Sequence, residues 1–347
     1  MHEASFTTSA RARPEPAGPP AVWLGIHLFL PPAEGDAKAA AGDRALGRLV
    51  LPAVRQALDE GWARRSFFIR YHELGSHLRL RFEGEPERLA SYLRPALAER
   101  FGLEVEGVVD SAGERFASAS GLVEHARWID YEPELERYGG RAGVALAEDL
   151  FHASSRAVLE LLRDGEPLEP GARSVQALFA LATLVHAFAA DREEAQALAR
   201  RYGDEGVRLL RSQPGGPGTE AEWERLFARR AERQPAALAD KVQAWWEAME
   251  DGEELPSPWG RYHQDLIAAA RRLRGLHAAG RLRFAQGGGA SYADAVARLL
   301  PSYLHMTSNR IGISVLEEAF LGAYLAHRLA PRQGEPVAER ECVAWSR

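Results

Sequence analysis

Basic side chains recur at every second position of one short segment. In residues 77–82, His77, Arg79 and Arg81 alternate with three apolar residues. Successive side chains of a β-strand point to opposite faces, so the histidine and the two arginines share one face. Guanidinium groups on a rigid strand suit bidentate binding of a carboxylate, because their donors match its two oxygens. A solvated strand face is the simpler interpretation, and composition alone favours it.

Two further segments carry cations or hydrogen-bonding groups. Arg70 and Tyr71 close a neighbouring predicted strand, and Arg70 adds a guanidinium to the cluster. Arg137 lies among glutamates, just before Tyr138 and a double glycine that permits a sharp turn. Arg137 either provides another anion contact or pairs with a neighbouring glutamate on the surface.

The segment 303–310 combines an imidazole with polar neighbours. If this segment is helical, His305 and Asn309 lie one turn apart on a common face, and Arg310 follows them. Histidine titrates near neutral pH and serves as a general acid or base. A lone histidine on a helix is more often structural, so none of these clusters identifies a reaction by itself.

Several other chemistries lack their sequence signatures. The chain has no Walker A pattern and no G-x-G-x-x-G motif after a strand, which argues against a nucleotide cofactor. Residues 72–77 resemble a zinc protease motif, but the spacing is one residue too long and the segment is a hairpin, not a helix. We therefore predict neither a metal nor a cofactor.

Strands must position the arginines. Residues 23–30 form an apolar run between prolines, which predicts a buried strand. Residues 67–71 and 77–82 flank a loop with Gly75 and predict an antiparallel hairpin. Residues 105–116 add further strand, weakened by two glycines.

Helices surround this sheet and dominate the rest of the chain. The apolar spacing predicts helices over residues 44–60, 87–100, 144–162, 175–190, 222–230, 238–249, 291–305 and 315–328. Two of them begin with a capping signature, Ser291 with Asp294 and Ser314 with Glu317. The glycine-rich stretches 213–218 and 286–289 are loops.

The predicted fold class is α+β, with an N-terminal antiparallel β-sheet and flanking helices followed by a helix-rich region. One domain covers residues 21–330. We expect residues 1–20 to be a disordered, proline-rich arm and residues 331–347 to be a C-terminal tail.

The bulk composition restricts compartment and partners. The 347 residues carry a net charge of −6, which opposes direct binding to nucleic acid. No apolar run is long enough for a membrane span, and residues 1–20 lack the apolar core of a secretory signal. Cys342 is the single cysteine, so an internal disulfide is impossible and a cytoplasmic location is favoured.

Taken in order, several of these segments resemble one family. They are Trp23-Leu24-Gly25-Ile26-His27-Leu28, residues 67–71, residues 75–82, residues 137–140, and His305-Met306 with Asn309-Arg310. This set resembles the thiopeptide-type bacteriocin biosynthesis domain. It is similar to the C-terminal glutamate-elimination domain of class I lantibiotic dehydratases, here as a separate chain, over residues 23–329.

The resemblance implies an activity and a set of catalytic residues. Such domains are lyases that remove glutamate from glutamylated serine or threonine of a ribosomal precursor peptide, giving dehydroalanine or dehydrobutyrine. The family's catalytic positions correspond to Arg79, Arg81, Arg137 and His305. For substrate binding we expect Arg70, Tyr71, His77, Asn309 and Arg310.

One segment departs from the family's pattern. Relatives often have Phe-x-x-Asp-Ser in the helix after the double glycine, where this chain has Phe151-His152-Ala153-Ser154-Ser155. The absence of that acid puts a local hydrogen bond in doubt, and with it the substrate preference.

The resemblance also implies partners and leaves two alternatives open. The expected partners are a precursor peptide, through its leader and core, and a separate tRNA-dependent glutamylating enzyme; a homodimer is compatible with the sequence. The first alternative is a thiopeptide pyridine synthase, which joins two dehydroalanines by a [4+2] cyclisation with release of the leader. The second is a noncatalytic subunit that binds the precursor peptide.

Overall fold

A four-stranded antiparallel sheet forms the N-terminal layer of the fold. Its strands are β1 (Val22–Phe29), β2 (Arg65–Tyr71), β3 (His77–Gly84) and β4 (His125–Trp128), arranged in the order β2-β3-β1-β4. The computed structural model describes residues 21–73, 75–103, 121–212, 218–284 and 291–330. The predicted first strand and the β2–β3 hairpin are confirmed.

Strand β4 is the element of the sheet that the sequence did not predict. It is four residues long, His-Ala-Arg-Trp, and none of its side chains is fully buried. Its residues alternate between polar and apolar, but four residues are too few for that alternation to distinguish a strand from a loop. The strand predicted over residues 105–116 lies outside the described residues, as do residues 1–20, 331–347, 286–289 and most of the loop 213–218.

The register of the sheet separates an apolar face from a basic one. Ile26 of β1 pairs with Leu80 of β3, and Phe68 of β2 pairs with the same leucine. All three side chains are at most 1% exposed and belong to the hydrophobic core. His77, Arg79 and Arg81 therefore point to the other face, as the alternation predicted.

Two helical segments cover the apolar face. The first runs through α1 (Gly35–Ala45), a π-helical turn (Leu46–Val50) and α2 (Leu51–Asp59). The second runs through α3 (Pro86–Arg88), a π-helical turn (Leu89–Leu93) and α4 (Arg94–Phe101). Their buried apolar side chains share one core with the sheet; examples are Leu46, Val50, Leu93, Leu97 and Phe101.

Helices make up the rest of the described chain. They are α5 (Arg141–Leu161), α6 (Pro170–Phe188), α7 (Arg192–Ser212), α8 (Glu220–Glu232), α9 (Ala236–Glu250), α10 (Trp259–Ala278), α11 (Tyr292–Ile311) and α12 (Val315–Leu329). Helix α7 packs on α12, and α5 packs on α10 and α11. The α+β class is confirmed, while α7 and α10 were not predicted, because arginines interrupt their apolar spacing.

The two predicted helix caps differ in detail. Ser291 and Asp294 form a complete capping box at the start of α11. At α12, Ser314 accepts a hydrogen bond from the Glu317 backbone, but the Glu317 side chain instead bonds Ser174 and Arg230. Glu317 therefore ties α12 to α6 and α8 rather than to its own cap.

A buried carboxylate joins the sheet layer to the helix-rich region. Asp43 of α1, which is 0% exposed, accepts hydrogen bonds from Arg70 of β2 at 2.5 Å and from Arg173 of α6 at 2.6 Å. The same two guanidiniums donate to backbone oxygens of α11, at Arg310 and Ile311. Arg70 is thus a structural residue on the apolar face, and burial lowers its pKa.

Candidate active site

Arg79 and Arg81 lie together on the basic face of β3. Arg81 is 7% exposed and donates to the Leu80 carbonyl at 2.9 Å. Burial, with repulsion from Arg79, lowers the pKa of Arg81 to about 10. Within the described part of the chain neither guanidinium pairs with a carboxylate, so this face offers cations to an external anion.

Aromatic rings hold Arg79 in place. Its guanidinium carbon lies 3.3 Å from the centroid of the Tyr71 ring, a cation–π contact. Its Nε donates to Nε2 of His77 at 3.2 Å. Tyr71 and His77, both predicted as substrate-binding residues, therefore lie beside Arg79 on the same face.

Arg137 comes from the segment that enters α5. Its Nε donates to Ser302 of α11 at 2.9 Å, and its Nη1 pairs with Glu134 at 3.0 Å. Gly139 and Gly140 follow with φ of 75° and 86°, a left-handed backbone that favours glycine. This turn directs the chain into α5 while Arg137 stays against α11.

A surface cavity of about 780 Å³ opens beside Arg137. Its wall includes Arg201 and Glu205 of α7 together with Pro301 and Arg298 of α11. The cavity gives an extended molecule access to the Arg137 side chain, which is 41% exposed.

His305 is held by a buried carboxylate. Its Nδ1 lies 3.0 Å from Glu318 of α12, and Glu318 is 5% exposed. The Tyr202 hydroxyl of α7 donates to the same carboxylate at 2.5 Å. In a neutral imidazole this contact places the proton on Nδ1, so Nε2 is left as the basic nitrogen.

One face of α11 carries the serine that bonds Arg137, His305 and a contact with the sheet. Ser302, which bonds Arg137, lies one turn before His305, and Asn309 lies one turn after it. Asn309 exchanges two hydrogen bonds of 2.9 Å with the backbone of Arg70 on β2. Asn309 thus holds α11 against the edge of the sheet at β2, and no described hydrogen bond joins Arg79 or Arg81 to Arg137 or His305.

Arg310, another predicted substrate-binding residue, is buried under this contact. It is 0% exposed, donates to Ser155 and to the Met306 carbonyl, and lies 4.7 Å from the centroid of the Phe151 ring. Burial lowers its pKa to about 10. The structure therefore gives Arg310, Arg70 and Asn309 structural contacts between β2, α5 and α11.

The segment of α5 that departs from the family pattern contacts both β2 and α11. Ser155 accepts hydrogen bonds from the Phe68 backbone and from Arg310. Ser154, at the position of the missing acid, donates to the Leu150 carbonyl of its own helix. Its hydroxyl is thus satisfied within α5.

Sequence reasoning missed Glu318 and Tyr202, which support His305. Tyr202 lies on α7, which was not predicted, and Glu318 was not distinguishable from other acids in the first turn of a helix. His27 and Arg127, on β1 and β4, were also missed. Alternation along residues 23–30 would have placed His27 on one face of its strand, but only the register shows that this is the basic face.

Among the described residues no group of His, Cys, Asp and Glu is arranged to hold a metal ion. In the same part of the chain, every helix is too short or too polar to cross a membrane.

Residues 23–329 match the family model described as lantibiotic biosynthesis dehydratase C-term. The chain belongs to this family. Family membership confirms the resemblance that rests on the arginine strand, the Tyr-Gly-Gly turn and the His305 helix.

One characterised relative matches a limited stretch of this chain. Subtilin biosynthesis protein SpaB of Bacillus subtilis is 37% identical over 99 residues, which is 28% of this chain and 8% of SpaB. The chain therefore matches only a small part of the length of that relative.

Solved structures share the fold over most of the chain. The tRNA-dependent lantibiotic dehydratase MibB from Microbispora sp. 107891 has a TM-score of 0.56 and 24% identity, covering 91% of this chain and 28% of MibB. TsrL has a TM-score of 0.58 and 15% identity, covering 89% of this chain and 94% of TsrL. The pyridine synthase TbtD from thiomuracin biosynthesis has a TM-score of 0.58 and 17% identity, covering 89% of this chain and 97% of TbtD. At these identities the likeness shows a common fold.

Proposed function

We propose that this chain eliminates glutamate from glutamylated serine and threonine residues of a ribosomally synthesised precursor peptide, in lanthipeptide or thiopeptide biosynthesis. The products are dehydroalanine and dehydrobutyrine, and the chain is the lyase component of a tRNA-dependent peptide dehydratase. The observation that carries the proposal is the His305–Glu318 pair, one turn from the serine that holds Arg137.

The chemistry requires a base and stabilised negative charge. A serine hydroxyl leaves poorly, because water has a pKa of about 15.7, whereas a carboxylate with a pKa of about 4.3 leaves readily. In the esterified residue the base removes the α-proton, the Cβ–O bond breaks, and glutamate departs with that electron pair. A positioned base contributes a factor of about 10² to 10⁴, and fixed cations stabilise the enolate-like charge and the departing carboxylate.

The proposed roles follow from the environment of each residue. His305 transfers the proton through Nε2, because Glu318 holds Nδ1. Arg137 is 41% exposed beside the cavity, where it reaches the ester. Arg79 and Arg81 bind anionic groups of the substrate.

The proposed partners are a precursor peptide and a separate glutamylating enzyme that uses glutamyl-tRNA. The net charge of −6 fits a division of labour in which tRNA is bound elsewhere. We expect the reaction in the cytoplasm, where charged tRNA is available.

Replacement of His305 tests the proposal. With a synthetic glutamylated precursor, His305→Ala should lower the elimination rate by about 10² to 10⁴-fold, and glutamylated peptide should accumulate in the mass spectrum. Glu318→Gln should lower the rate by up to about 10⁴-fold, the loss seen when an imidazole loses the carboxylate that holds its tautomer. His327→Ala, a change at an exposed histidine of α12, is the matched control and should keep the wild-type rate. An unchanged rate in His305→Ala removes this residue from the mechanism.

A second candidate function has specific support. The chain covers 97% of the pyridine synthase TbtD, a protein of similar extent, and a synthase would cyclise two dehydroalanines and release the leader. Mass spectrometry separates the candidates: loss of glutamate indicates elimination, ring formation with leader release indicates cyclisation, and unchanged peptide indicates a noncatalytic binding subunit.

A further inference from the structure

The basic face of the sheet extends beyond the two arginines of β3. His27 on β1 pairs in register with Arg79 on β3 and with Arg127 on β4. Residues directly opposite each other on neighbouring strands share a face. His27 therefore shares this face with Arg79 and Arg127, and the Arg127 guanidinium lies 5.0 Å from the centroid of the Phe29 ring on the same face.

Hydrogen bonds from arginine fix which nitrogen of each imidazole carries the proton. A guanidinium is only a donor, so Nε2 of His77 accepts from Arg79 at 3.2 Å. The His77 proton is then on Nδ1, which donates to the Gly75 carbonyl at 2.9 Å. His77 is thus fully satisfied within the protein.

The same reasoning leaves His27 with an unused donor. Its Nε2 accepts from Arg81 at 3.3 Å, so the proton of the neutral ring is on Nδ1. Burial, together with Arg81, Arg79, His77 and Arg127, lowers the pKa of His27 to about 3, and the ring stays neutral. His27 is 5% exposed, and its Nδ1 has no hydrogen-bond partner among the described residues. A buried N–H without an acceptor is unfavourable.

The cations around His27 lack a carboxylate of the protein. Within the described residues Arg79, Arg81 and Arg127 form no ion pair, and Glu83, the carboxylate at the end of β3, is bound by Arg65 at 2.6 Å. Adjacent guanidiniums repel each other, and Arg81 is almost fully buried. An acceptor with negative charge would satisfy both the cations and the His27 donor.

We propose that His27 Nδ1–H, Arg79 and Arg127 form a subsite for the free side-chain carboxylate of the glutamyl group, with Arg81 positioning the His27 ring. This inference rests on the proposed function. A glutamyl group transferred from tRNA is esterified through its α-carboxyl, so its side-chain carboxylate stays free.

Paired substrates test the subsite. One precursor peptide carries a glutamyl ester, and the other carries a glutaminyl ester, in which a neutral amide replaces the side-chain carboxylate. Arg127→Gln and His27→Phe should lower kcat/KM for the glutamyl ester by about 10- to 100-fold, as expected for the loss of a hydrogen bond to a charged group. Both variants should act on the glutaminyl ester within about twofold of the wild type.

Arg94→Gln provides the matched control. Arg94 lies 4.6 Å from the centroid of the Trp128 ring, and Trp128 lies next to Arg127 on β4, so its side chain points to the opposite face. This variant should leave both substrates unaffected. Equal losses on the two esters, or no loss on the glutamyl ester in Arg127→Gln, would overturn the subsite. Arg127 is exposed, so its replacement keeps the test independent of folding.

Binding of glutarate separates this inference from the proposed function. If wild-type protein eliminates nothing from either ester, the proposed elimination fails, and a calorimetric titration with glutarate then decides the subsite. Glutarate binding that weakens about tenfold or more in Arg127→Gln supports the subsite, and glutarate that does not bind wild-type protein overturns it.

Discussion

At the level of single residues, pairing with a carboxylate distinguishes the predicted strand arginines. Arg70 and Arg79 are both predicted from strand segments, yet Arg70 is bound by Asp43 and Arg79 is not paired with any described carboxylate. Arg310 is enclosed by aromatic rings. A strand pattern shows which side chains share a face, but it does not show what covers that face.

Glu148 of α5 gives the protein a pH-dependent stability that can be measured. The carboxyl is 6% exposed, and burial raises its pKa from 4.5 to about 7, against the effect of Arg65. The folded state therefore holds a proton that the unfolded chain releases near pH 4.5. The resulting stabilisation is fully present below about pH 4.5 and is lost as pH rises through about 7.

Glu148→Gln should remove this pH dependence. Relative to the variant, the wild type should lose unfolding free energy between pH 4.5 and 7, by about 3 kcal/mol or less, since water near the carboxyl weakens the effect. Urea unfolding at several pH values measures the difference. A constant difference between wild type and variant across this range would contradict the prediction.

At the level of elements, the sequence predicted the segments whose apolar spacing is regular. The alternation in β3 placed its arginines on the correct face, and the caps located the starts of α11 and α12. Helix α7 was not predicted, because arginines interrupt its apolar spacing and because its buried positions include Ala195, Ala199 and Gly203, which carry little apolar signal. The Tyr202–Glu318–His305 chain depends on α7 packing against α12, so this part of the site was beyond sequence reasoning.

The α7–α12 contact depends on two glycines. A Cβ at Gly322 would lie 2.7 Å from the backbone nitrogen of Gly203 and 3.1 Å from the Ala199 carbonyl oxygen. Both neighbours are backbone atoms, so the helices must separate to admit a methyl group. Because Glu318 lies one turn before Gly322 on α12, a shift of this helix also moves the partner of His305.

Gly322→Ala should therefore destabilise the protein by about 1–3 kcal/mol, as overpacked core substitutions do, and should lower elimination activity. Gly275→Ala in α10 is the matched control, because a Cβ there meets no atom within 4 Å. In an exposed helix position alanine is favoured over glycine by about 0.5–1 kcal/mol. Thermal unfolding of both variants measures the contrast, and stabilisation by Gly322→Ala would show that the helices do not pack this closely.

At the level of the whole molecule, the apolar core runs from the sheet layer through the helix-rich region. The polar connection between these parts is the Asp43 cluster, in which Arg70 and Arg173 converge on a single carboxylate. Because both arginines also donate to α11, Asp43 indirectly fixes the helix that carries His305. Removal of the Asp43 carboxylate leaves the buried guanidiniums of Arg70 and Arg173 without a counter-charge.

Asp43→Ala should lower the free energy of unfolding by about 3–5 kcal/mol, the loss expected when one partner of a buried ion pair is removed. Glu166→Ala is the control. The Glu166 side chain is 70% exposed and pairs with Arg48, and an exposed ion pair contributes about 0–1 kcal/mol to the free energy of unfolding. Urea unfolding followed by tryptophan fluorescence and by far-ultraviolet circular dichroism measures both variants. If residues 21–330 form one domain, as the sequence predicts, the two signals should change at the same urea concentration in the wild type. Separate transitions, with the Asp43 variant affecting only one of them, would divide the sheet layer from the helices into independent folding units.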